Sequence, residues 1–82
     1  MYEIIFTDEA KKQLASLDVV VWQKIGSVID RIKVRPHKFA RRLYNSKYYR
    51  VRVDNYRIIL DIQDVKLIIY VIEIGPRDKI YK

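Results

Sequence analysis

The stretch "YYRVRVDNYRIIL" (Tyr48–Leu60) decides the fold of this chain. Two runs of alternating side chains flank "DN" (Asp54, Asn55), a residue pair that tolerates left-handed backbone and closes two-residue hairpins. A two-residue turn fixes the register: Val53 faces Tyr56 and Arg52 faces Arg57. Alternation then places Tyr49, Val51, Val53, Tyr56, Ile58, Leu60 and Ile62 on one face, the predicted core. Arg50, Arg52 and Arg57 fall on the other face, with Tyr48 beside them. Like charges directly opposite each other on a sheet destabilise it by roughly 0.2–1 kcal/mol. The arrangement becomes favourable when an anion sits between the guanidiniums, and a phosphodiester matches the planar Arg fork. The plainer reading is a solvated basic face, with Asp61 on the same side available to pair with one arginine. A slip of one residue would undo the clustering, so the inference stands on the turn.

Outward from the hairpin, "LIIYVIEI" (67–74) is apolar on both parities, which predicts a central strand. The predicted strands are 48–53, 56–62 and 67–74, with "QDVK" joining the last two and Gly75 and Pro76 ending the last. The loop leaves the face of Glu73 open. At the other end, "YEIIF" (2–6) reads as a strand. Thr7 is a good helix N-cap, and Asp8 and Glu9 suit the positive end of the helix dipole. Ala10, Leu14 and Leu17 follow at helical spacing. Asp18 can cap a second helix, whose apolar stripe is Val21, Ile25, Val28 and Ile32 with Ile29 beside it. Trp22 is expected to seal the edge of that stripe. Pro36 ends the helix, and "RPHKFARRLYNSK" (35–47) is a basic connector in which His37 is expected to be exposed and inert. The order is β-α-α-β-β-β. The expected fold is α+β, with a helical hairpin on one face of a mainly antiparallel four-stranded sheet, residues 1–82 forming a single domain.

Composition narrows the function. The net charge is +7 over 82 residues. Residues 1–40 carry seven Lys/Arg against five Asp/Glu (+2), and residues 41–82 carry ten against five (+5). Excess positive charge beside the hairpin suits a polyanion, nucleic acid first. With no cysteine and a lone histidine, no metal site and no cofactor are expected. No apolar run approaches the roughly 18 residues of a membrane span, and "MYEIIFTDEA" lacks the pattern of a signal peptide. The expected compartment is the cytoplasm.

Past the last strand, "GPRDKIY" adds Arg77 and Tyr81, a phosphate ligand and a ring on which a base can stack. As plainer alternatives, Arg77 is a surface charge and Tyr81 a packing residue.

Three stretches, "FTDEAKKQL", "YYRVRVDNYRIILDI" and "VIEIGPRDKIY", together make the chain resemble the RelE/ParE toxin family, in particular its RelE branch of ribosome-dependent mRNA interferases. The resemblance implies cleavage of mRNA in the ribosomal A site. The ribose 2′-OH attacks the adjacent phosphate, leaving a 2′,3′-cyclic phosphate and a 5′-OH. By that likeness Arg50, Arg52 and Arg57 hold the scissile phosphate, Arg77 neutralises the leaving 5′-oxygen, and Tyr81 stacks on or orients the base. The RNA contacts would extend to Arg41, Arg42, Lys47 and Tyr48. Some members carry Lys where this chain has Arg50 and Arg52, and many have His where it has Pro76. Guanidinium is effectively always charged, so the chemistry left to these residues is electrostatic. The resemblance also implies a cognate antitoxin with an acidic amphipathic segment, a toxin–antitoxin hetero-oligomer, and the ribosome with its mRNA as target. A ParE-type gyrase inhibitor shares the fold, and a plain RNA-binding module would share the basic face.

Overall fold

The computed structural model describes residues 1–76. In chain order they form β1 (Glu3–Phe6), α1 (Asp8–Ala15), α2 (Val19–Val34), α3 (Pro36–Phe39), β2 (Arg41–Arg42), β3 (Tyr49–Val53), β4 (Tyr56–Gln63) and β5 (Ile68–Pro76). The strands make one five-stranded sheet in the order β1-β5-β4-β3-β2. β1 runs parallel to β5 and the other pairs are antiparallel. The α+β architecture and mainly antiparallel sheet are as expected. The basic connector differs, because it contains two short elements that the sequence pattern hides. Pro36 starts the one-turn α3, where its fixed φ and missing N–H suit a first helical position. Arg41–Arg42 then pairs with Arg50 and Tyr49 as a fifth, edge strand. A strand of two residues is too short for alternation to reveal.

The helix caps are the predicted ones. Thr7 Oγ1 accepts from the Ala10 N–H at 3.2 Å, and Asp18 Oδ1 accepts from Val21 N–H at 3.0 Å. Ala10 on α1 and Ile25, Ile29 and Ile32 on α2 are buried against Val51, Val53, Ile58, Leu60, Ile62, Ile69, Val71 and Ile74 of the sheet. That cluster lies on the helix side of the sheet, while Ile59, also fully buried, faces the other side. Trp22 does not seal its edge: it is 51% exposed, as are its neighbours Val19 and Val20 in large part. Val21 takes the inward position instead. Lys24 Nζ meets Asp54 Oδ2 at 2.8 Å and ties α2 to the tip of the hairpin, although such a half-exposed pair adds little stability. No helix among the described residues is long and apolar enough to cross a membrane.

β5 carries an irregularity that matters for the open side of the sheet. Ile59 faces Glu73 while Leu60 faces Val71, so Ile72 is an extra residue on β5. Such a bulge reverses the parity of a strand. Before it, Ile68 and Tyr70 sit opposite Gln63 and Asp61; after it, Glu73 and Gly75 sit opposite Ile59 and Arg57. The bulge thus settles the face of Glu73. Helix α1 holds it in place. Thr7 Oγ1 donates to the Ile72 carbonyl at 2.9 Å, and Gln13 Oε1 accepts from the Ile74 N–H at 2.6 Å.

Candidate nucleic-acid interface

The predicted hairpin register is the observed one, with Val53 opposite Tyr56 and Arg52 opposite Arg57. Asp54 takes a φ of 54°, in the left-handed region that Asp and Asn tolerate better than most residues. Val51, Val53, Ile58 and Leu60 are buried toward the helices. Arg50, Arg52 and Arg57 therefore share the open face.

Pairing across four strands extends the pattern. Arg41 on β2, Arg50 on β3, Ile59 on β4 and Glu73 on β5 form one cross-strand row. Arg52, Arg57 and Gly75 form the next row toward the hairpin tip. Gly75 places no side chain beside Arg57. The result is two pairs of directly opposed arginines, Arg41 with Arg50 and Arg52 with Arg57, on adjacent rows. The second pair was legible in the sequence and the first was not, because it needs the hidden edge strand.

Arg57 is half-buried, and its Nε is fully enclosed with no hydrogen-bond partner among the described residues. An enclosed donor of a charged group is costly to leave unmet and marks a place where an acceptor belongs. The two carboxylates described on this face, Asp61 and Glu73, do not supply one. Asp61 accepts from Gln63 Nε2 at 2.9 Å instead. No ion pair among the described residues joins Glu73 to Arg50 or Arg57.

The remaining predicted contacts divide. Tyr48 precedes β3 on the parity of Arg50 and is half-buried, with Lys47 Nζ 5.3 Å from its ring centre. Arg42 pairs with Tyr49, so it lies on the opposite parity from Arg41, and its Nε donates to the Ser46 carbonyl at 2.9 Å. Arg42 and Lys47 line the β2–β3 loop rather than the arginine rows. Arg77 and Tyr81 lie outside the described residues. Among the described residues no cluster of three or more His, Asp or Glu is placed to hold a metal ion.

His37 was missed. It is exposed, as expected, but not idle: its Nε2 lies 2.8 Å from Asp64 Oδ1 and its ring packs edge-on to Tyr49 at 5.3 Å. Tyr2 donates its hydroxyl to the same Asp64 oxygen at 2.7 Å. The His37 and Tyr2 bonds hold the Asp64 carboxyl below its ordinary value, and the bond to Asp64 raises the Tyr2 hydroxyl above its own. This clasp joins the residue before β1, α3 and the β4–β5 turn. Arg57 and Gln63 are six residues apart on β4, so the clasp lies about 20 Å from the Arg52–Arg57 row. No local pattern could have revealed it, because its members are 27 and 62 residues apart.

The family model described as "ParE toxin of type II toxin-antitoxin system, parDE" matches residues 4–81. Among curated proteins nothing matches. Among solved structures, the isolated E. coli RelE toxin superposes with a TM-score of 0.84 at 22% identity, covering 93% of this chain and 84% of that one. The RelE–RelB complex of the archaeon Pyrococcus horikoshii OT3 gives 0.82 at 22% identity, covering 95% and 97%. The intact E. coli RelBE toxin–antitoxin complex gives 0.82 at 20% identity, covering 93% and 96%. At these identities the structures speak for a shared fold.

Proposed function

The chain belongs to the RelE/ParE family of type II toxin–antitoxin toxins, and from that premise we propose that it is a RelE-like endoribonuclease that cuts mRNA in the ribosomal A site. The observation that carries the reading is the two adjacent pairs of opposed arginines, with the enclosed Nε of Arg57 unmet among the described residues. In the proposed reaction the 2′-oxygen bonds to the adjacent phosphorus, the bond to the 5′-oxygen breaks, and a 2′,3′-cyclic phosphate and a 5′-hydroxyl result. The nucleophile belongs to the substrate, so the protein's task is to position the phosphate and oppose the charge that grows on it. Arg50, Arg52 and Arg57 hold the phosphate oxygens, and Arg77 meets the leaving 5′-oxygen. Each well-placed donor of this kind is worth about 10²–10³ in rate. Tyr81 stacks on the base. The ribosome supplies the alignment of 2′-oxygen, phosphorus and leaving oxygen, a large share of such a barrier. The natural partner is an antitoxin, as the RelE–RelB complexes suggest, and its carboxylates would compete for the same arginines.

One observation favours a second reading. The family model that matches is named for ParE, and a ParE-type toxin would inhibit DNA gyrase without cutting RNA. Toeprinting on translating ribosomes with the purified protein separates the two. New mRNA ends within the A-site codon support the ribonuclease. Intact mRNA together with gyrase-linked DNA breaks would replace it with the second reading.

A further inference from the structure

The hairpin arginines reach a second place. Arg50 and Arg52 also line a cleft of about 280 Å³ at the outer edge of β3, where α3 gives way to β2. Its other walls are Val28 and Arg31 of α2, Phe39 at the end of α3, and Arg41 of β2. Four arginines from three elements thus surround a small apolar surface, and no carboxylate is among the described lining residues. Phe39 leaves 39% of its surface in contact with solvent although it sits beside the core residue Ala40.

We infer that this cleft is a second nucleotide seat, which takes the base of a single-stranded RNA nucleotide against the Phe39 ring and its phosphate against Arg31 and Arg41. The inference rests on RNA being the ligand of the hairpin face. Three features carry it. The volume is close to the roughly 300 Å³ at the lower end of small-ligand sites. An exposed ring among guanidiniums is the chemistry that holds unpaired bases and their backbone, because stacking serves any base and the Arg fork serves any phosphate. The cleft is also continuous with the open face: β4 to β2 spans two strand spacings, about 10 Å, a distance that neighbouring nucleotides of one strand cover. An acidic peptide would meet the same charges and could cover the ring with apolar side chains, but only a base stacks on it face to face, and the abasic strand and the peptide below separate the two. Residues on α2 and α3 would then help to fix how the message lies, away from the bond that is cut.

The test is fluorescence anisotropy with a short single-stranded RNA, an abasic version of it, and an acidic peptide, over a range of salt concentrations. The proteins are wild type, Arg31→Ala, Phe39→Ala, Phe39→Tyr, Arg57→Ala and, as a control on α1, Lys11→Ala, each first shown to keep its unfolding midpoint. Phe39→Ala should weaken RNA binding about tenfold and Phe39→Tyr should restore it. The Phe39→Ala loss should vanish on the abasic strand. Arg31→Ala should lower the slope of log affinity against log salt by about one, while Lys11→Ala stays within about twofold. If Arg57→Ala weakens binding while Arg31→Ala and Phe39→Ala do not, the hairpin reading survives and the second seat is wrong. If Arg31→Ala impairs only the peptide, the cleft is a protein site and the inference is overturned. If wild type binds no RNA even at low salt, the inference falls together with the RNA reading of the hairpin.

Discussion

The ten paired residues of the β3–β4 hairpin are divided between two faces that obey different rules. Toward the helices, Val51, Val53, Ile58 and Leu60 are buried among the isoleucines of α2. Toward the open side, Arg52 faces Arg57 and Arg50 faces Arg41. The first face lowers the free energy of the fold by removing apolar area from water. The second raises it slightly through like-charge repulsion. A face that sets arginine opposite arginine in two adjacent rows, at some cost in stability, is organised toward something outside the chain. Side chains on one strand are therefore separable into those that make the fold and those that the fold presents.

The comparison breaks most visibly on the core side. Ile58→Ala should cost about 2–5 kcal/mol, since Ile58 is fully buried beside Ile74 at the centre of the sheet. In a domain this small that is a large part of total stability, and the denaturant midpoint should collapse. Its neighbour Arg57→Ala should do the reverse. It should leave the midpoint unchanged or slightly higher, because it removes the charge opposite Arg52, and lower ribosome-dependent cleavage by about 10²–10³. Measuring midpoint and cleavage on both variants tests the separation directly. A large stability loss in Arg57→Ala would place that residue in the core and sink the division of faces.

What could be read in the sequence follows from the range of each signal. The hairpin register came from a turn and an alternation that are local to Tyr48–Leu60, and it was right to the residue. The caps Thr7 and Asp18 are local signals too. Arg41 opposite Arg50 depended on a two-residue strand, too short for any period to show. Glu73 could not be assigned a face because the extra residue at Ile72 reverses the alternation of β5, and nothing in an all-apolar run marks a bulge. Trp22 failed for another reason. It neighbours the stripe positions Val21 and Ile25 on the helix, and the core has room for Val21 but leaves Trp22 outside. The roles expected of Arg77 and Tyr81 come from residue type and family resemblance, and both residues lie outside the described ones.

A subtler connection between the two faces runs through Thr7. Its hydroxyl caps α1 and also donates to the carbonyl of the bulged Ile72, so one side chain on the helix side helps to hold Glu73 and Gly75 on the open side. Thr7→Ala should cost about 1 kcal/mol, the usual loss for an N-cap. If the bulge depends on the hydroxyl, exchange of the β5 amides around Ile72 should accelerate more than that of β3. Equal acceleration of both strands would mean that Thr7 serves α1 only.

The smallest expected effect concerns the clasp of Tyr2, His37 and Asp64, at the end of the sheet away from the arginine rows. Asp64→Ala removes both bonds to its carboxylate, and because the site is exposed the loss should be smaller than that for Thr7→Ala. Its pH dependence is the sharper readout. The bonds from His37 and Tyr2 lower the folded-state value of Asp64 below the ordinary 3.8, so its contribution is present above that pH and is lost as pH falls through the lowered value. Tyr2 is raised above 10.0 by its bond to Asp64, so its contribution is present below that pH and is lost as pH rises through the raised value. The gap in unfolding midpoint between wild type and Asp64→Ala should therefore narrow as pH falls below 3.8 and as it rises above 10.0. Arg57→Ala should show no such narrowing on the alkaline side, since guanidinium keeps its charge there. A gap between wild type and Asp64→Ala that stays constant from acid to alkali would show that the clasp contributes through packing of His37 on Tyr49, and that the ionised carboxylate is not what holds the three elements together.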